Sequence, residues 1–274
     1  MSEMVSVLMS VLNGEKTMDR AIDSILGQTY REIELILCDD GSTDATWAKM
    51  QRYREADKRI VLLRNAHTLG LAASLNRCLQ VASGVYIARQ DADDFSHPER
   101  IERTLAFLQS KRLPYAACGV LISDADGIWS KRIYPQQITR HDIVKSNPFF
   151  HPTMIFRQEV IRSVGGYRVS NETRRTEDYD LVMRLAARQM IGQNMQEFLY
   201  EVSEPRGEYG RKHKRITRWY EFRTRWYGYR AMHVAPVEYA YLLKPLVLCF
   251  IPLYLLTIFK HVQWKMKLKG NHHD

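Results

Sequence analysis

The chain predicts an α/β fold, a mostly parallel sheet flanked by helices, continued by a C-terminal helical, membrane-associating tail. Three observations carry this. Between residues 5 and 110 short apolar runs alternate with segments of helical periodicity, the signature of strand–helix–strand units and a parallel sheet. Two acidic clusters, Asp39-Asp40 and Asp91-Ala92-Asp93-Asp94, fall immediately after apolar runs. In parallel sheets that position, beyond the carboxyl ends of the strands, is where ligands bind. Composition then changes near residue 205. The 274 residues carry 40 Lys and Arg against 31 Asp and Glu, a net charge of +9, and residues 205–274 hold 14 of the former and 4 of the latter. The near-neutral part, 1–204, is read as the folded body, and 205–274 as a basic, aromatic and apolar helical segment.

The elements follow in order. Residues 5–12 are rich in Val and Leu and stop at Asn13-Gly14, a breaker pair, which makes them the first strand. Residues 17–26 place Met18, Ala21, Ile22, Ile25 and Leu26 on one helical face. Residues 33–38 form a second strand. Asp39-Asp40-Gly41-Ser42-Thr43-Asp44 then opens a helix running towards Asp57, with Ser42 or Thr43 as its cap. Residues 60–63 and 85–88 are further strands, separated by a helix over 71–82. Pro98 and Glu99 start a helix that runs to about Ser110, capped by His97 or Ser96. Residues 115–122 and 128–133 read as two strands about a turn at 124–127, and residues 178–189 as an amphipathic helix.

Composition sets bounds on function. Hydrophobic residues make up 45% of the chain, enough for a core, which excludes a disordered chain. The four cysteines, Cys38, Cys78, Cys118 and Cys249, are dispersed without CxxC spacing. That argues against a zinc site or a disulfide framework and suits a reducing compartment. The apolar N-terminal run lacks a basic flank and reads as a strand rather than a signal peptide, so the body is expected on the cytosolic side.

Each motif alone has a plain alternative. Asp91-Ala92-Asp93 at a strand end can share a hard cation and the diphosphate it carries, but an acidic turn at a helix start is common. Asp39-Asp40-Gly41-Ser42 is equally a strand-to-helix turn, and Glu177-Asp178 equally a pair of carboxylates complementing a helix dipole. Taken in sequence they say more. DDGSTD at 39–44, a run from Asn76 through A-S-G-x-Y-I-A-R-Q-D-A-D-D to Asp94, HPTMIF at 151–156, GGY at 165–167 and TEDYDLVMRLA at 176–186 occur in that order. Here the chain resembles the inverting family 2 glycosyltransferases of the Rossmann-like GT-A fold, over residues 4 to about 200.

The resemblance implies roles by position. Ser10, Asn13, Asp39, Asp40 and Asp91 are expected to bind the nucleotide. Asp93, with Asp91, is expected to hold a divalent metal, Mn²⁺ or Mg²⁺, on the donor diphosphate, and His151 is a further metal candidate beside a structural alternative. Glu177-Asp178 matches the family's E-D pair, whose aspartate is the catalytic base. The donor is expected to be a nucleotide-diphosphate sugar, weighted towards a UDP-sugar, and the acceptor a glycan or a lipid-linked sugar. Two departures stand out. Ser10 replaces a usual proline, and the Y-R-x-H-type segment is degraded to residues 199–206, which leaves Arg206 and Arg211 without a phosphate role.

Nine basic residues mix with Trp219, Tyr220, Phe222, Trp226, Tyr227 and Tyr229 over residues 206–230, and residues 246–259 are uncharged and largely apolar. About 20 apolar residues are needed to span a bilayer, so an anchor lying at the surface fits at least as well as a span. The inner membrane surface is the expected partner, at its cytoplasmic face in a bacterium. No nucleic-acid module accompanies the basic charge, so no nucleic acid is expected. The competing reading is a non-catalytic nucleotide-sugar binding or membrane-associated module. It would require loss of the base or of D-x-D, and both are present.

Overall fold

A computed structural model of the chain describes residues 3–206 and 215–250. The first half alternates as the sequence predicts: β1 (Val5–Val11), α1 (Met18–Leu26), β2 (Ile33–Asp39), α2 (Thr46–Ala56), β3 (Ile60–Arg64), α3 (Leu71–Val81) and β4 (Tyr86–Arg89). A two-residue strand β5 (Phe95–Ser96) precedes α4 (Arg100–Ser110). The second half holds β6 (Tyr115–Asp124), β7 (Gly127–Arg132), α5 (Arg140–Lys145), β8 (Ile155–Arg157), α6 (Gln158–Ser163), α7 (Glu177–Ala187) and β9 (Gln193–Ser203). The described C-terminal part comprises α8 (Arg215–Met232), a 3₁₀ turn (Pro236–Leu242) and α9 (Leu243–Phe250).

The strands form one sheet in the order β3-β2-β1-β4-β8-β6-β9-β5, with β7 paired to β6. It is mixed rather than mostly parallel. β1 to β4 are mutually parallel. β8 is antiparallel to both β4 and β6, and only the β6–β9 pair restores parallel pairing beyond it. β6 and β7 form an antiparallel hairpin, and β8 enters the sheet between β4 and β6, running opposite to both.

β1 is buried on both faces, which is why it reads as a continuous apolar run. Val5, Val7, Met9 and Val11 pack on Met18, Ala21, Ile22 and Ile25 of α1 and Ile101 and Leu105 of α4. Leu8 faces the other layer with Leu75, Cys78 and Leu79 of α3 and Leu181, Val182 and Leu185 of α7. Tyr229 and Met232 of α8 belong to that second core, so the start of the basic segment is anchored in the body.

The side-chain caps expected from the sequence are not used. α4 has no side-chain cap, and the His97 carbonyl accepts the Arg100 N–H instead. Ser42 Oγ accepts the Asn13 N–H at 2.9 Å, tying the end of β1 to the 39–44 turn, and Asp44 accepts the Thr46 N–H at 3.0 Å at the start of α2. Arg206 pairs with Asp124 at 3.0 Å. Arg211 and most of the 246–259 apolar run lie outside the described residues. Among the described residues no helix is long and apolar enough to cross a membrane.

Candidate active site

β1, β2 and β4 are parallel neighbours, so their carboxyl ends share one edge of the sheet. That edge carries the first and second acidic clusters, and packing brings the third to it.

In the first cluster Ser10 is half-buried at the end of β1, in register with Cys38. Asn13 has φ 52° and accepts the Thr43 N–H on Oδ1 at 2.9 Å. Asp39 is fully buried; one oxygen accepts the Ser42 N–H at 2.9 Å and the other is 3.1 Å from Arg64 Nε. Arg64 lies over the Trp47 ring, 5.0 Å from its centroid. Gly41 sits at φ 79°, and a Cβ there would come within 2.7 Å of the His67 backbone, so no other residue fits this contact between loops. Asp40 differs from its neighbour. Its oxygens accept from Asn65 Nδ2 (2.6 Å), Ser74 Oγ (2.9 Å), Leu69 N (2.9 Å) and Gly70 N (2.9 Å). Three of these donors meet Oδ1 and the Gly70 N–H meets Oδ2. Asp40 therefore fastens the loop that leads into α3.

In the second cluster Asp93 is exposed at the turn and Asp91 is partly exposed. Asp91 pairs with Arg89 Nη2 at 2.5 Å, and its N–H donates to Tyr200 Oη at 3.1 Å. Gln90 shapes the turn, its amide donating to the Asp91 carbonyl at 3.0 Å. Asp94 is buried and accepts the Ser203 N–H at 3.0 Å. Burial, followed by the charges of Asp91 and Asp93, pushes its carboxyl up to about 8. Asp91 and Asp93 present carboxylate oxygens at the turn, donors that Mg²⁺ or Mn²⁺ takes while completing its shell with phosphate and water. No group of three or more His, Cys, Asp and Glu among the described residues forms a closed cage, so a metal here would depend on the donor diphosphate for part of its shell.

The third cluster opens α7. Glu177 is pushed up to about 6, chiefly by burial. Burial also raises Asp178, opposed by the Tyr179 N–H and by Asn147, whose Nδ2 donates to Asp178 Oδ2 at 2.8 Å. Tyr167 joins the second and third clusters. Its hydroxyl is 2.9 Å from His151 Nε2 and feels the charges of Arg89, Asp178, Glu177 and Asp91. Arg89 lies buried among the same groups. Burial works against its charge, but Asp91, Tyr167 and Tyr200 outweigh that and keep it protonated. Burial, and then Arg89, drives His151 down to about 3, so its ring is neutral at ordinary pH. To bind metal through Nε2, His151 would have to release Tyr167.

Tyr167 is itself held by residues of the recognised motifs. Asn76 donates to the Tyr167 carbonyl at 2.7 Å and accepts its N–H at 2.8 Å. Arg184, paired with buried Asp180 at 2.6 Å, donates to the carbonyls of Val164 and Gly166 at 2.6 and 2.7 Å. Gly166 has φ 71°, and a Cβ there would meet Asn76 Oδ1 at 2.6 Å. The 76–94 run, GGY and the α7 motif thus meet in one piece of architecture, with Asp91, Glu177 and Asp178 close to Tyr167 and Arg89.

Comparison with known proteins decides the family. The model of "Glycosyl transferase family 2" matches residues 6–165, and that of "Glycosyl transferase family group 2" matches residues 86–266. The chain belongs to glycosyl transferase family 2. It is a glycosyltransferase, as its relatives are named. "Putative glycosyltransferase EpsE" of Bacillus subtilis is 40% identical over 253 residues, 90% of each chain. The Escherichia coli "UDP-Glc:alpha-D-GlcNAc-diphosphoundecaprenol beta-1,3-glucosyltransferase WfaP" is 35% identical over 111 residues, 40% of this chain and 43% of its own. The fold matches the mannosyltransferase PcManGT of Pyrobaculum calidifontis, solved with GDP-Man and Mn²⁺, at TM-score 0.63 and 15% identity over 96% of this chain and 81% of that one.

Several residues of this transferase site were not singled out in the sequence. Arg89 and Tyr167 lie inside quoted motifs without a role, and their signals were an arginine ending an apolar strand and a tyrosine after two glycines. Asn147 lay outside every motif, although an Asn before Pro148 is a faint turn signal. Tyr200 stood inside the degraded 199–206 segment without a role.

Proposed function

We propose that this glycosyltransferase moves a sugar, with inversion, from a UDP-sugar to a hydroxyl of a glycan or lipid-linked acceptor at the cytoplasmic face of a bacterial inner membrane. The observation that carries the reading is the convergence of Asp91, Glu177 and Asp178 about Tyr167 and Arg89. The UDP-glucose donor and diphospho-lipid acceptor printed in the name of the WfaP relative support the substrate classes, and the neighbour solved with Mn²⁺ supports the metal.

The mechanism follows from the groups present. Asp178 takes the proton of the acceptor hydroxyl as its oxygen attacks the anomeric carbon. Burial raises its affinity for that proton, while Asn147 holds the carboxylate in place. Glu177, adjacent on α7, adds negative charge on the acceptor side. Asp93 and Asp91 would hold a divalent cation, which, when bound, neutralises charge developing on the departing nucleoside diphosphate. Ser10, Asn13 and Asp39 at the sheet edge bind the nucleoside, and Asp40 supports them from behind. One base suffices for a single displacement, unlike the carboxylate pair of hydrolases.

Residues 1–204 carry this chemistry, and 205–274 contact the membrane. Exposed Ile216, Trp219 and Trp226 on α8, and Leu243 and Val247 on α9, support the second part together with the basic excess of the segment.

Calorimetric titration of UDP-glucose, UDP-galactose, UDP-N-acetylglucosamine and UDP, with Mn²⁺ and then with EDTA, tests the donor site. Metal-dependent binding that disappears in Asp93→Ala is the expected result. Failure of every uridine compound to bind in either condition overturns the uridine assignment.

A further inference from the structure

Asn147 and the face of α8 that packs behind it are not used by any step above except as support for Asp178. Asn147 Oδ1 accepts the Phe149 N–H at 3.2 Å, which commits the other end of the amide, Nδ2, to Asp178. The orientation of the amide is therefore set by its partners. Phe149 is buried against Tyr115, with ring centroids 5.1 Å apart, so the turn cannot drift on that side.

The chain just before Asn147 is held by α8. Arg225, 1% exposed, donates to the Val144 and Lys145 carbonyls at 3.1 Å each. Tyr229 donates to the Val144 carbonyl at 2.6 Å. Tyr179, one residue after Asp178, donates to the Ile143 carbonyl at 2.5 Å and lies under the Arg225 guanidinium at 5.4 Å. These three side chains cover the exposed carbonyls at the end of α5, whose groups no helical N–H can reach. On the other flank, the Thr224 and Thr176 hydroxyls are 2.7 Å apart, at the residue before Glu177. One helix thus grips both segments that meet at the Asn147–Asp178 hydrogen bond.

We propose that Asn147 is the positioning residue for Asp178, and that α8, through Arg225 and Tyr229, holds Asn147 in register, so that the C-terminal segment takes part in building the base. This rests on the reading of Asp178 as base. Asp178 is faced by Asn147, by Arg89 from the end of β4, by Tyr167, and by Glu177 and Tyr179 on its own helix. Of these only Asn147 donates a side-chain hydrogen bond to it.

The test compares Asn147→Ala, Asn147→Asp, Tyr229→Phe and Asp178→Asn in the full chain. UDP release is followed with UDP-glucose, UDP-galactose and UDP-N-acetylglucosamine, and the Asp178 carboxyl is titrated by ¹³C NMR, assigned through Asp178→Asn. In Asn147→Ala we expect kcat to fall roughly tenfold to hundredfold, the scale of a misplaced catalytic group, while calorimetric UDP affinity stays within about twofold. Loss of a donor to the carboxylate raises its proton affinity, so the acid limb of the rate profile and the NMR titration should move up by about one pH unit. They should move further in Asn147→Asp, where a second carboxylate replaces the donor. Tyr229→Phe should lower kcat by a smaller factor with the same UDP affinity. A role in folding alone would move none of the titrations. An Asp178 titration identical in wild type, Asn147→Ala and Asn147→Asp overturns the positioning role. Normal turnover by Asp178→Asn instead overturns the base assignment, and the NMR result stands apart from it.

Discussion

Asp40→Ala separates a residue that touches the nucleotide from one that builds the platform for it. In the folded chain the Asp40 carboxylate accepts four hydrogen bonds. The Leu69 and Gly70 N–H groups lie nearer the surface, and water can replace their partner. The Asn65 amide and Ser74 hydroxyl are buried and lose an acceptor that water reaches only with difficulty. An orphaned buried donor costs about 1–3 kcal/mol, and the truncated side chain also loses packing, so the variant should be less stable by about 4 kcal/mol. In a chain of this size that lowers the thermal midpoint by roughly 10 °C. Differential scanning calorimetry measures it. A midpoint for Asp40→Ala within about 2 °C of wild type, with donor binding lost, would refute the argument and return Asp40 to the nucleotide contacts.

Other expectations follow from the same geometry. Asp178→Asn should abolish transfer and leave metal-dependent donor binding in place, as read by calorimetry beside a product assay. The Glu177 carboxyl is raised from 4.5 to about 6 in the folded chain. Between those values the folded state holds more protons than the unfolded state, so stability falls as pH rises through the window. Glu177→Gln should reduce that fall by about 1–2 kcal/mol, measured by urea unfolding at pH 5 and pH 7. Deleting residues 251–274 should weaken sedimentation with anionic vesicles at low salt; unchanged co-sedimentation would show that this stretch is not the anchor.

Much of the first half was legible because its signals are local. A strand buried on both faces must be apolar throughout, and an amphipathic helix must repeat its apolar positions, so β1 to β4 and α1 to α4 stand in the chain close to where the fold has them. The acidic clusters were legible for a related reason: each stands in a few adjacent residues directly after an apolar run or at a helix start. The caps were not. Asp44 at the start of α2 and the His97 carbonyl at the start of α4 took the places expected of Ser42, Thr43 and the side chains of Ser96 and His97. The mixed character of the sheet was also hidden, since β8 has three residues and β5 two, too few to show a period.

The sequence by itself determined the alternation of strands and helices, the family, and the three acidic clusters, because each is written in residues a few positions apart. Tertiary structure alone decided what each carboxylate touches. Asp39 and Asp40 are neighbours of one type, yet Asp40 accepts from four internal donors, contributed from as far along as residue 74. The meeting of Asp91 with Glu177 and Asp178 about Tyr167, and the grip of Arg225 on the chain before Asn147, join residues 80 or more positions apart. Hydrogen bonding and burial act over a few ångströms of space, and chain separation carries no record of that distance.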